Sequence, residues 1–315
     1  MKTLINGLHH VTAFASSAQK NVDFYVGVLG LRLVKKTINF DAPEVYHLYY
    51  GDEIGHAGTI MTFFPYKGMV RGRKGAHQLT YTSFSIPENA LDFWMNRLNR
   101  FHITFEKPAS RFDETYIQFE DPDGTGIELV ATKNDTRPGW SNGSIPLDKS
   151  IRGFHTVTLH ENQADKTVEL LTETMQHQLV VQEGNRIRLE AGKGGSGNLV
   201  DILFSPTDLK GLQGAGTVHH VAFSTDNEAT QLEIREKLLL ANIHPTTVQD
   251  RNYFRSIYFR EPGGVLFEVA TNVPGFAVDE DVTALGQHLK LPEWYEPRRS
   301  EIEKHLDPIE IKAYS

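Results

Sequence analysis

Leu8-His9-His10-Val11-Thr12-Ala13-Phe14 and, far along the chain, Val218-His219-His220-Val221-Ala222-Phe223 are two versions of one strand-like segment. Downstream of the first, Val22, Tyr25, Val26 and Leu29 fall at the i, i+3, i+4, i+7 spacing of a helix that buries one face, and Gly30 ends it. Three runs rich in β-branched and aromatic residues follow, over 31–40, 45–50 and 58–65, as strands tend to be. This order recurs four times along the sequence, with a period of about sixty residues. The second copy opens at Ala76-His77-Gln78-Leu79-Thr80-Tyr81 and carries Leu91, Trp94, Met95 and Leu98 on its helix; its Asp92-Phe93-Trp94 repeats Asp23-Phe24-Tyr25. The third, the most diverged, opens at Gly153-Phe154-His155-Thr156, with Val168, Leu171 and Met175 on the helix. The fourth opens at Val218 and has a less regular helix around Ile234 and Leu238. The second and fourth also end alike: Glu120-Asp121-Pro122-Asp123-Gly124 leads to Ile127-Glu128-Leu129, and Glu261-Pro262-Gly263-Gly264 leads to Phe267-Glu268-Val269, each a turn into a closing strand.

The pattern predicts an α+β fold of four βαβββ modules paired into two domains, 1–135 and 151–273. Pro138, Gly139, Gly143 and Pro146 mark a linker between them, and 274–315 forms a tail with a helix near 299–305. The 315 residues are 39% hydrophobic, enough for an ordinary core. Forty acidic residues against 32 basic ones give a net charge of -8, and the dense basic run is only Arg71, Arg73 and Lys74, so a nucleic-acid partner is not expected. No apolar run approaches the roughly 20 residues of a membrane span, and MKTLINGLHH lacks a secretory apolar stretch; a cytoplasmic protein is expected. With no Cys, any metal must be held by His, carboxylate or water.

Six histidines, His9, His10, His77, His155, His219 and His220, lie at or beside the first strand of a repeat. Neighbours on a strand point to opposite faces, so within each doublet one imidazole is expected to face a cavity and the other to point away. His10 and His220 hold equivalent places, and Glu268 could face the same concavity; two imidazoles and a carboxylate form a facial triad that leaves three positions open on a divalent metal. His77 and His155 are read as hydrogen-bonded or surface residues. Glu128 could be a second metal ligand, a buried partner for an Arg or a remnant of duplication; with Gln78 in place of a His the remnant is favoured, and Asp201 has the same ambiguity. Gly192-Lys193-Gly194-Gly195-Ser196-Gly197 lacks phosphate-loop spacing and reads as a hairpin turn. Trp294, Tyr295, Arg298 and Arg299 could cap a pocket or pack the tail on the body.

The four modules, the His-His-Val openings and the closing Phe-Glu-Val strand resemble the vicinal oxygen chelate superfamily of glyoxalases, type I extradiol dioxygenases and fosfomycin-resistance proteins. The similarity covers essentially the whole chain and makes the two domains glyoxalase-like. The doublets and the Pro-Glu-Trp-Tyr-Glu-Pro-Arg-Arg stretch at 292–299 look most like the hydroquinone ring-cleaving dioxygenases, the Mhq-type and chlorohydroquinone enzymes. That resemblance implies iron ligands at His10, His220 and Glu268 and supporting roles for His9, His219, Thr12, Arg251 and Tyr258. It implies Fe(II), with Mn(II) or Zn(II) as alternatives, and O2 as co-substrate. The implied reaction is extradiol-type opening of a methylhydroquinone-like para-diol with incorporation of both oxygen atoms, in aromatic degradation or quinone detoxification. Tyr258 and His219 are candidates for proton transfer and Arg251 for holding an anion. A homodimer is the expected assembly. Two alternatives stay open: a glyoxalase-type metal-dependent lyase or isomerase, which commonly uses a second carboxylate ligand, and a non-catalytic small-molecule-binding resistance protein.

Overall fold

The computed structural model describes residues 2–141 and 143–312. In module 1, β1 (Gly7–Ala15) leads into α1 (Ala18–Val22), which widens into a π-helical turn over Asp23–Val28, and β2 (Arg32–Asn39), β3 (Ala42–Gly51) and β4 (Ile60–Pro65) follow. Module 2 contains β5 (Gln78–Pro87), α2 (Leu91–Arg100), β6 (Ala109–Arg111), β7 (Glu114–Glu120) and β8 (Gly126–Thr132). Module 3 contains β9 (Gly153–Glu161), α3 (Asp165–Glu169) with a π-helical turn over Leu170–Thr174, β10 (Gln178–Glu183), β11 (Arg186–Glu190) and β12 (Leu199–Phe204). Module 4 contains β13 (Val218–Thr225), α4 (Glu228–Leu240), β14 (Gln249–Asp250), β15 (Arg255–Arg260) and β16 (Leu266–Thr271). In the tail, the helix expected over 299–305 is the single turn α5 (Arg299–Ile302).

Two eight-stranded sheets result, and they cut across the halves of the chain. Modules 1 and 4 form one sheet, ordered β14-β15-β16-β13-β1-β4-β3-β2, and modules 2 and 3 form the other, ordered β10-β11-β12-β9-β5-β8-β7-β6. The halves 1–135 and 151–273 describe how modules succeed one another in sequence; backbone hydrogen bonds join each half to the other through the antiparallel pairs β1–β13 and β5–β9. The glycine run at 192–197 connects β11 to β12, as a hairpin turn should.

Val11 faces Val221 at the centre of the β1–β13 pair, and the register is symmetric about them: His10 opposes Ala222 as His220 opposes Thr12. The relation continues outward. Thr62 on β4 lies beside Thr12 as Glu268 on β16 lies beside Ala222, and Tyr49 on β3 lies beside Thr62 as Tyr258 on β15 lies beside Glu268. Modules 1 and 4 are thus related by a local twofold, and each residue of the site has a definable counterpart.

Leu8, Val11 and Ala13 join Val22, Tyr25 and Leu29 in an apolar cluster that draws residues from all four modules. Each fully buried side chain of this size contributes roughly 1.5–3 kcal/mol. Gly30 ends the module 1 helix at φ 69°, and a Cβ there would strike the Ile145 side chain. The tail is clamped by Lys35, fully buried, whose Nζ lies 2.7 Å from Asp279 and 2.9 Å from Glu280. Tyr295 donates to the Phe40 carbonyl at 2.9 Å and Trp294 stacks edgewise on the Phe40 ring, so the tail packs on the body. Arg298 and Arg299 pair with Glu301, Glu296 and Glu303 within the tail.

The turn into β16 is held by Glu261, which accepts from the backbone N–H of Gly263 and Val265. Its other neighbour is Glu161: Thr167 Oγ1 lies 2.8 Å from one carboxylate and 2.7 Å from the other. One hydroxyl proton cannot serve two ionised acids, so burial and the Glu261 charge push Glu161 up to about 8. A carboxyl raised in the folded state contributes stability fully below its unfolded pKa near 4.5, and that contribution is lost as pH rises toward 8. Glu161→Gln should therefore flatten a decline of up to roughly 1.4 kcal/mol per pH unit in this window, measured by urea unfolding between pH 5 and 9.

Candidate metal centre

Both His doublets sit on β-bulges. In the β1–β13 ladder Leu8 pairs with Phe223 and His10 with Ala222, so His9 is the extra residue; Thr12 pairs with His220 and Ala13 with Val218, so His219 is the other. A bulge resets the alternation of faces. This is why Leu8 and Val11, three apart, share the apolar cluster, and why the imidazoles of a doublet come into contact and, in the second doublet, face one cavity. The imidazoles of each pair lie side by side: His9 Nδ1 is 2.9 Å from His10 Nδ1, and His219 Nδ1 is 2.7 Å from His220 Nδ1. His219 lines the same cavity as His220, while His9 borders a separate apolar one with Phe254 and Phe276.

His10 Nε2, His220 Nε2 and a Glu268 oxygen converge. The two nitrogens are 3.1 Å apart, and Glu268 Oε2 lies 3.3 Å from His10 and 3.0 Å from His220. All three residues are buried. Bonds of about 2.1 Å at right angles would put three ligand atoms about 3.0 Å apart, so the spacing is that of one face of an octahedron. By geometry Glu268 Oε2 makes no hydrogen bond to a side chain, although both nitrogens lie close to it. Its second oxygen accepts from Ser256 Oγ. Among the described residues this is the one group of three such side chains with ligand atoms so close together. The set fits a divalent cation.

The supporting contacts fix the protons. Where His10 and His220 keep Nε2 lone pairs for a metal, their Nδ1–H groups donate to Nδ1 of His9 and His219. Those acceptors must be neutral, and they are: burial and then the neighbouring ligand imidazole lower each to about 3. Burial pushes the Glu268 carboxyl up, but His10 and His220 overcome it and hold the group well below its usual range, ionised and ready to ligate.

A cavity of about 240 Å³ opens on this centre. That is below the roughly 300–1,000 Å³ of drug-sized pockets and suits a single substituted ring. Phe14, Phe64 and Phe254 give it aromatic walls. Tyr258 packs edgewise on His220, and its hydroxyl accepts from Arg251 Nε at 3.1 Å. Burial and Glu268 raise the Tyr258 phenol above its usual pKa, so it is protonated. Arg251 also reaches Asp41 at 3.1 Å, an ion pair from module 4 to module 1 across the mouth of the cavity. Thr12 is not among the lining residues; its hydroxyl bonds Thr62 at 2.8 Å.

His47 and Tyr49 also line the cavity, and neither was among the candidates drawn from the sequence. Both lie in Tyr46-His47-Leu48-Tyr49-Tyr50, an aromatic strand that gives no spacing signal. Only the local twofold, which makes Tyr49 the counterpart of Tyr258, singles them out.

The second sheet carries the complementary half of the pattern. Thr82 and Val157 occupy its centre, which puts Tyr81 and Thr156 where His220 and His10 stand in the first sheet. The expected equivalence of Gln78 with a ligand His is thereby corrected to Tyr81, and His77 lies ahead of the strand with a bond to the Gly263 carbonyl. Glu128 and Asp201 hold the two carboxylate positions, but arginines occupy them: Arg111 binds Glu128, and Arg186 and Arg188 bind Asp201. Of the three options for Glu128, the buried Arg partner is what the structure contains. His155 is buried against Glu114 and Ser196.

Fold and site together describe a protein of paired βαβββ modules with a buried His-His-Glu group that could hold a metal ion. The chain belongs to the Glyoxalase/Bleomycin resistance protein/Dioxygenase superfamily, whose profile matches residues 7–129. It is 44% identical over 306 residues, 97% of each chain, to a Bacillus subtilis (strain 168) protein with the provisional name ring-cleaving dioxygenase MhqO. It is 34% identical over 319 residues, 98% of each chain, to the chlorohydroquinone/hydroquinone 1,2-dioxygenase of Sphingobium indicum. A crystal structure of a Bacillus subtilis protein provisionally described as a dioxygenase superposes with a TM-score of 0.95 at 43% identity, covering 99% of both chains.

His10→Ala, His220→Ala and Glu268→Ala are each expected to abolish retention of Fe(II) or Zn(II) after dialysis, measured by elemental analysis. Glu128→Ala should retain the metal in full yet lose roughly 3–5 kcal/mol of stability, because buried Arg111 keeps only the more distant Asp201, 3.8 Å away. Full metal occupancy in the three ligand variants would contradict the assignment.

Proposed function

We propose that the chain is an Fe(II)-dependent ring-cleaving dioxygenase of para-diols of the methylhydroquinone kind, inserting both atoms of O2. The observation that carries this is the break in the twofold at Thr62. Glu268 supplies a carboxylate from module 4, but its counterpart in module 1 is a threonine, whose hydroxyl is 2.8 Å from Thr12 and 2.8 Å from His47. A glyoxalase-type site with a second carboxylate ligand would need an acid there. Three ligands leave room for substrate oxygen and dioxygen together, and the names of the relatives at 44% and 34% identity point the same way.

Iron held by His10, His220 and Glu268 would supply a common binding point for a phenolate and O2 and a path for electrons between them. The residues of the chain do the rest. The phenylalanine walls hold a ring and keep water from it. Tyr258, kept protonated by burial and Glu268, can give a proton to a developing oxyanion at its hydroxyl, and Arg251 orients that hydroxyl while presenting charge to a carboxylate product. His219, whose Nδ1 takes the proton of the ligand His220, carries its own proton on Nε2 and can donate it to a bound oxygen. His9 orients His10 from behind and acts through it.

Oxygen uptake by the anaerobically purified, Fe(II)-loaded protein is the direct test. Uptake with methylhydroquinone, and none with catechol or the methylglyoxal hemithioacetal, is expected; turnover of the hemithioacetal without uptake would replace the proposal with the isomerase. Tyr258→Phe should lower kcat by roughly 10²–10⁴-fold with iron content unchanged, measured in the same electrode assay.

A further inference from the structure

Tyr49 faces the cavity from the wall opposite Tyr258. Its ring is buried, and burial together with Tyr253, Tyr258 and Glu268 keeps the phenol protonated far above its usual pKa. Its hydroxyl lies 2.8 Å from His47 Nδ1, His47 Nε2 lies 2.8 Å from Thr62 Oγ1, and Thr62 lies 2.8 Å from Thr12 Oγ1. The four side chains form one hydrogen-bonded row across β3, β4 and β1. A phenol can donate once and accept twice, and His47 takes one of those capacities.

The row occupies the module 1 positions that in module 4 hold the metal-binding acid and its support. Thr62 stands for Glu268, His47 for Ser256 and Tyr49 for Tyr258. Where the carboxylate was given up, the chain therefore built a neutral hydrogen-bonding wall. The other polar groups of the module 1 side are committed at the rim: Asp41 to Arg251, and Asn39 to the Tyr66 hydroxyl. In a cavity sized for one ring, a group on this wall is within reach of any ring bound there.

We propose that Tyr49 is a substrate-binding residue, whose hydroxyl meets the ring hydroxyl of the diol that the metal does not hold, and that His47, Thr62 and Thr12 are the positioning residues that aim it. This rests on the para-diol function proposed above. It also gives Thr12, which does not reach the cavity, a role at the far end of the row.

The test is anaerobic calorimetry on the Zn(II)-loaded chain, which cannot turn over, with hydroquinone and with phenol as ligands. Tyr49→Phe keeps the ring and should weaken hydroquinone by roughly tenfold while leaving phenol unchanged, since phenol lacks the second hydroxyl. Thr62→Val should weaken hydroquinone several-fold in the wild-type background and add nothing in the Tyr49→Phe background, as expected for members of one row. Equal losses for the two ligands, or no loss for hydroquinone, would overturn the assignment of Tyr49. Wild-type protein that binds neither ligand would overturn the assignment of Tyr49; oxygen uptake with methylhydroquinone by the Fe(II)-loaded wild type would leave the para-diol function standing in that case, and no uptake would overturn both.

Discussion

The antiparallel pairing of β1 with β13, centred on Val11 and Val221, is the constraint on which the site depends. The pair joins modules from opposite ends of the chain, and its two bulges turn His10 and His220 into one concavity with His9 and His219 beside them. Without the bulges, alternation would leave Leu8 and His10 on one face and break the apolar cluster that holds the strand. Packing and ligand geometry are therefore satisfied by the same irregularity.

Duplication gave four modules a common set of positions, and the two sheets used it differently. The first sheet has both imidazoles and one acid, and one oxygen of that acid faces the two imidazole nitrogens. The second kept both acids and neither imidazole, and the charges there are met by Arg111, Arg186 and Arg188. A buried carboxylate needs a positive partner in either case. In one sheet a guanidinium supplies it; in the other the two imidazoles lie beside the acid and the three together could hold a metal ion.

The asymmetry inside the first sheet shapes the chemistry available. With Thr62 in place of an acid, the group of possible ligands numbers three side chains, and the row from Thr12 to Tyr49 gives the inner part of that side of the cavity neutral hydrogen-bonding groups. The opposite side has Tyr258, Arg251 and Glu268. The two sides of the pocket therefore differ in charge and in hydrogen-bonding groups, as the halves of a fully symmetric site would not.

The sequence by itself determined the repeat and the strand and helix order of each module, and it named His10, His220 and Glu268, which the fold brings together, because the doublets and the closing Glu stand at matching places. The resemblance named Arg251 and Tyr258, and both line the cavity. The sequence could not determine that modules 1 and 4 share a sheet, since hydrogen-bonding partners of strands far apart in sequence leave no local signal. Nor could it show the bulges, where one unpaired residue reverses the alternation that strand reading relies on. His47 and Tyr49 are ordinary members of an aromatic strand until the twofold sets them against Ser256 and Tyr258, and the partner of Glu128 was settled only when tertiary packing brought Arg111 to it.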